Sequence, residues 1–142
     1  MKKIIWLTVA FVIVLSVLFI FINNYFSELT PLGYAKRQSG LKLPKGIKLV
    51  KFNQHWESEN GDGSRYIEFN LTQQEAEDLQ RQCMKESYSN LPVRENGYNP
   101  FTSKKDDKDY YKIKFTSSNN RSHELAILDM TRKKFYIIVE IV

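Results

Sequence analysis

Between Lys2-Lys3 and Asn23 the chain runs through nineteen residues, Ile4 to Ile22, that only Thr8 and Ser16 make less than fully apolar. As a helix rising about 1.5 Å per residue, this run would reach roughly 28 Å, close to the ~30 Å hydrocarbon core of a bilayer. No charge interrupts it. The run predicts a single transmembrane helix, a signal anchor over residues 1–24 with the lipid bilayer as its partner through residues 4–22. Trp6 near one end, and Tyr25 and Phe26 near the other, sit where interfacial aromatics are expected.

A cleaved secretory signal is the alternative. Its apolar region is usually shorter and ends at a small-x-small site, whereas this run exits into Ile22-Asn23-Asn24-Tyr25-Phe26. A lipoprotein signal needs a cysteine just after the run, and the one cysteine is Cys83. Lys2 and Lys3 favour a cytoplasmic N-terminus and a domain outside the cytoplasm. Lys36, Arg37 and Lys42 soften that bias and leave the reverse topology as the second reading. The expected location is the bacterial cytoplasmic (inner) membrane, with a single pass.

About 120 residues follow, enough for one small domain. The net charge of +5 is unevenly spread. From Leu29 to Trp56 there are six basic residues, Lys36, Arg37, Lys42, Lys45, Lys48 and Lys51, and no acidic one. From Glu57 onward 13 Lys/Arg face 15 Asp/Glu, a net of −2. The basic segment either attracts anionic lipid or an envelope polymer or forms a solvated linker and the exposed face of a first strand. Nothing resembles a zinc-finger, helix-turn-helix or RNP pattern, so nucleic acid is not an expected partner.

Residues 25–43 read as a basic linker broken at Thr30-Pro31-Leu32-Gly33 and Gln38-Ser39-Gly40. Residues 44–142 read as a small α+β domain. Ile47 to Glu57 and Arg65 to Leu71 alternate as strands around Glu59-Asn60-Gly61-Asp62-Gly63, whose glycines suit a tight hairpin turn. Thr72 and Glu75 form a capping box for a helix whose apolar stripe is Ala76, Leu79 and Cys83, joined by Met84, and which ends near Ser87. Arg94 to Asp109 is a polar surface loop. Strands are expected at Tyr110 to Phe115, Glu124 to Met130 and Lys134 to Val142, the last apolar enough to be central or covered on both faces. The order is ββαβββ: an antiparallel sheet with one helix packed on one face.

Leu43-Pro44, Gly61-Asp62-Gly63 ahead of a strand and capped helix, Leu91-Pro92, and Ala126-Ile127-Leu128-Asp129 leading to Phe135-Tyr136 are short motifs. Over roughly Leu43 to Glu140 the chain resembles a loose set of small, uncharacterised bacterial envelope-associated proteins. His55-Trp56-Glu57 stands where that set tends to be Gly-rich. The resemblance implies the ββαβββ fold and transfers no activity.

The chemical signals are sparse. An EF-hand register through Ser58, Asn60, Asp62 and Gly63 puts Phe69 where the bidentate Glu belongs, so a hairpin turn explains these residues. No clustered Cys/His spacing implies zinc, and no metal or cofactor is expected. Nor is there a Gly-x-Ser-x-Gly, Walker or dinucleotide motif. Cys83 reads as a small buried apolar residue. The glycosylation-type triplets Asn70-Leu71-Thr72 and Asn120-Arg121-Ser122 are incidental in a Lys- and Asn-rich chain of bacterial character.

The expected function is therefore non-catalytic: a membrane-anchored protein-interaction or envelope-accessory domain, immunity-like in one version, with His55, Trp56, Tyr66 and Tyr110 as candidate protein contacts. One alternative is a small hydrolase using His55 or His123 with nearby carboxylates. The other is binding of anionic lipid or envelope polymer through Lys36 to Lys51.

Overall fold

The computed structural model describes residues 11–22, 30–57, 61–90, 109–116 and 122–142. The chain divides into two units, Met1–Tyr34 and Ala35–Val142. In the first, helix α1 spans residues 11–22, exposed along its length, and Ser16 Oγ donates to the Val12 carbonyl at 2.8 Å. Among the described residues no helix is long and apolar enough to cross a membrane. The expected transmembrane helix, its role as a signal anchor and the single-pass inner-membrane location are therefore not supported. Residues 4–10 of the apolar run, with Trp6, Tyr25 and Phe26 at its ends, lie outside the described residues.

The punctuation read as a linker builds a helix. Helix α2 (Pro31–Ser39) starts on Thr30, whose Oγ1 accepts from the Gly33 amide at 3.0 Å, with Pro31 at the first helical position where its missing N–H costs nothing. It stops at Gly40, which takes φ 73° and donates to the Lys36 carbonyl at 3.0 Å. Ala35, Ser39, Leu41, Leu43 and Ile47 are buried. The core of the second unit thus begins before Pro44.

Strands β1 (Lys48–Trp56) and β2 (Gly63–Asn70) form the expected hairpin. Helix α3 (Gln73–Lys85) carries both halves of the capping box: the Glu75 amide donates to Thr72 Oγ1 at 3.3 Å, and the Thr72 amide donates to Glu75 Oε2 at 2.8 Å. Its buried stripe is Ala76, Leu79 and Cys83, whereas Met84 is exposed rather than part of it. A two-residue strand, β3 (Ser89–Asn90), precedes β4 (Tyr110–Phe115), β5 (His123–Asp129) and β6 (Lys134–Ile141). The order after α2 is therefore ββαββββ rather than ββαβββ. Two residues are too few to leave an alternation in the sequence.

All pairs in the sheet are antiparallel, in the order β1-β2-β6-β5-β4-β3. Across the middle, Phe69 stands beside Phe135, and Phe135 beside Leu128; one row on, Ile67 stands beside Ile137, and Ile137 beside Ala126. These residues are buried on one face. Helix α3 packs against β5, and Lys112, beside Ala126 in register, places its ammonium 5.6 Å from the Tyr88 ring just beyond the helix. The opposite face holds a cluster of Tyr111, Leu125, Ile127 and Tyr136, with Tyr66, Ile113 and Ile138 packed against it. Strand β6 is buried through both faces, as its apolar run requires.

At the turn end of the hairpin Trp56 pairs with Gly63. A Cβ on Gly63 would stand 2.2 Å from Trp56 Cε3 and 2.5 Å from the His55 carbonyl oxygen, so the indole occupies the space a side chain would fill. Gly63→Ala should lower stability by about 1–3 kcal/mol through overpacking, and Thr72→Ala by about 0.5–2 kcal/mol through the lost cap. Both are measurable as shifts of the denaturant midpoint at constant slope.

Candidate functional site

Strand β1, Lys-Leu-Val-Lys-Phe-Asn-Gln-His-Trp, is exposed at all nine positions and pairs with β2 alone among the described strands. Register explains its surface. A bulge lies between Leu49 and Lys51. Without it, strict alternation would set Phe52 on the same face as Lys48. The extra residue, Val50, shifts the phase so that Leu49 pairs with Phe69 and Phe52 with Ile67, on the face α3 covers further along. Lys48 and Lys51 pair with Asn70 and Glu68 and share the other face.

The apolar sheet face therefore continues past its buried part. Phe69 and Ile67 are 1% and 0% exposed, whereas their β1 neighbours Leu49 and Phe52 are 43% and 44% exposed, with Val50 at 46% beside them. Trp56 extends the strip, held by Gly63 beneath it and by the Arg65 guanidinium 5.6 Å from its ring centre. Arg65 Nε also donates to Gln54 Oε1 at 3.2 Å. This edge of the sheet is apolar on one face, basic on the other, and paired on one side.

Behind Lys51 lies a polar network. The Lys51 ammonium stands 5.3 Å from the Tyr66 ring centre, the Tyr66 hydroxyl donates to Glu68 Oε2 at 2.9 Å, and Lys134 donates to Glu68 Oε1. The Lys134 bond, helped by Tyr66 and opposed by burial, holds the Glu68 carboxyl below the usual carboxylate range. Burial, then the Glu68 carboxylate, pushes the Tyr66 hydroxyl up. The charges hold β2 to β6 on the face opposite α3.

The other expected site residues are scattered. Lys36 and Arg37 lie on α2, whose Gln38 donates to Glu124 Oε1 of β5 at 3.0 Å, three strands from β1, or about 14 Å at the usual strand spacing. Lys42 and Lys45 lie in the connection between α2 and β1. The Lys42 amide is tied to Gln82 Oε1 at 2.7 Å, beside Arg81 and Lys85. Only Lys48 and Lys51 share a face of one strand. His55 and Trp56 are exposed on opposite faces of β1, Tyr66 is half-buried on the His55 face, and Tyr110 is buried on β4. Leu49, Val50 and Phe52 were not singled out in the sequence. Their apolarity was plain, but nothing local separates an edge strand from a covered one.

Both histidines fall in one cross-strand row: His55 beside Ser64, Ser64 beside Glu140, Glu140 beside His123. His55, Glu57, Asp62 and Glu140 line an open cleft of about 340 Å³. Side chains in such a row stand parallel, perpendicular to the sheet. No hydrogen bond joins Ser64 to either histidine, His123 is buried, and its Nε2 is 3.8 Å from Glu140 Oε2. The row does not assemble a nucleophile and its base. Among the described residues no group of three or more His, Cys, Asp or Glu side chains is placed to hold a metal ion. Burial pushes the Cys83 thiol up to about 12, which suits a core position rather than reactivity.

No protein-family model matches the chain, and neither does any curated protein or any solved structure.

Because Glu68 binds its proton less tightly in the folded than in the unfolded protein, its contribution is fully present above the ordinary value of about 4.5 and is lost as pH falls below it. Glu68→Gln should cost about 1–2 kcal/mol at neutral pH, between the ranges for exposed and buried pairs, and should flatten the pH dependence of stability below that value. Denaturation curves at stepped pH check both. The Cys83 thiol should resist alkylation at neutral pH in the native chain and react once denatured.

Proposed function

We propose that this protein is a non-catalytic binding domain that accepts an extended polypeptide segment along β1. The observation that carries the reading is the nine-residue edge strand, exposed throughout, on which Leu49, Phe52 and Trp56 prolong the apolar face of the sheet, with exposed Val50 at the bulge between them. Covering these four half-exposed side chains is worth about 1 kcal/mol each. Their sum is comparable to the lower bound of roughly 4 kcal/mol that association costs in lost freedom. Side-chain burial alone therefore gives little net affinity. Main-chain hydrogen bonds along the unpaired edge supply what is missing, and an extended strand is the shape that makes them. The scatter of Lys36, Arg37 and Lys42 away from Lys48 and Lys51 gives less support to a polymer-binding surface across the whole basic segment, and a row in which no hydrogen bond joins Ser64 to His55 or His123 gives less to a hydrolase.

A photo-crosslinking phenylalanine analogue at position 52 of the full chain, expressed in its native cells, tests the reading. It should give a discrete polypeptide adduct that the same analogue at exposed Glu77 on α3 does not give and that Leu49→Ser abolishes. No adduct at position 52, or equal adducts at both positions, would overturn the proposal.

A further inference from the structure

We infer that the segment taken up by β1 is an acidic strand of another protein, alternating carboxylate and apolar side chains, and not a second copy of β1. The inference rests on the docking reading above and adds the identity of the occupant. Its basis is the two-faced register that the bulge creates. With Leu49, Phe52 and Trp56 on one face, Gln54 among them, and Lys48 and Lys51 on the other beside Asn53 and His55, a strand paired along β1 meets a mainly apolar surface at every second residue and, at the residues between, two ammonium groups and no carboxylate of β1. No salt bridge holds Lys48 or Lys51 among the described residues, and no acidic residue occurs in the sequence from Leu29 to Trp56. Glu68 lies opposite Lys51 in register, but its two oxygens are taken by Lys134 and Tyr66, and Lys48 lies opposite the neutral Asn70, so an acidic occupant would supply countercharge along this face.

Self-pairing fails on the same charges. Two antiparallel copies of β1 would place four lysines and no carboxylate along a ribbon roughly 30 Å long. Centred on Phe52, the two Lys51 side chains would stand on the same face as diagonal neighbours about 7–8 Å apart, within a Debye length at physiological salt. A bulge inside the strand also breaks the regular ladder that a symmetric pair requires. Lysines and a bulge are common means of discouraging unselected edge pairing. Here the same features accept one class of strand and reject the rest, because specificity is a difference between partners.

The test uses the full chain and two synthetic nine-residue peptides, one alternating Glu with Val and the other alternating Lys with Val, read by hydrogen exchange at residues 48–56 and by titration. The Glu-Val peptide should protect β1 and lose affinity as salt rises, and the Lys-Val peptide should bind at least about tenfold more weakly. Lys48→Glu with Lys51→Glu should reverse that order. Lys51→Glu stands opposite Glu68 in register, so the double variant should lower the denaturation midpoint while keeping a cooperative transition, and Lys48→Glu alone, opposite Asn70, should keep the midpoint and narrow the difference between the peptides. Equal binding of the two peptides would overturn the inference, as would a dimer in sedimentation whose β1 amides are protected without peptide. If neither peptide protects β1 while the crosslink at position 52 persists, the acidic occupant is wrong and docking at β1 stands. If the crosslink is also absent, both fall.

Discussion

The sheet depends on the insertion of the last strand, β6, between β2 and β5. Its eight residues pair with Gly63–Asn70 on one side and with the β5 hairpin on the other, joining parts of the chain some seventy residues apart. Without β6 the hairpin of β1 and β2 would be a two-stranded ribbon, marginal in water. With it, Phe69 and Ile67 gain Phe135 and Ile137 as neighbours, and α3 has a surface to cover. The entropy of closing so long a loop is recovered only when the whole row forms, so the sheet is cooperative by construction.

The same junction carries charge as well as apolar contact. Glu68 on β2 meets Lys134 on β6 and takes a second bond from Tyr66, next to the tyrosine-rich cluster on the face away from α3. A carboxylate there is tolerable because both its oxygens are satisfied. It also ties β2 to β6 in one register, since a slip would leave the charge without partners. That register in turn fixes which side chains of β1 lie beside Phe69 and Ile67.

One inserted residue in β1 converts this order into a surface. By restarting the alternation at Val50, the bulge collects the apolar side chains on one face and the lysines on the other. Trp56, lying over Gly63, continues the apolar face to the end of the strand. An edge built in this way offers apolar contact, main-chain partners and one sign of charge along the same line.

The local elements were legible from residue order: the alternation of β2, the apolar run of β6, the capping box at Thr72 and Glu75, and the Ala76-Leu79-Cys83 stripe each follow from chemistry within a few residues. Position in the sheet was not. Thr30-Pro31 and Ser39-Gly40 are helix start and stop signals as much as linker breakers, and burial of Ala35 and Ser39 decided between the two. The apolar run from Ile4 to Ile22 reports hydropathy, whereas a span needs a continuous helix of about 20 residues, and no helix among the described residues is long and apolar enough. The candidate site was legible least of all. Lys48, Leu49, Val50, Lys51 and Phe52 are written in the sequence, but a bulge depends on the partner strand, and an edge exists only once the other strands have taken their places.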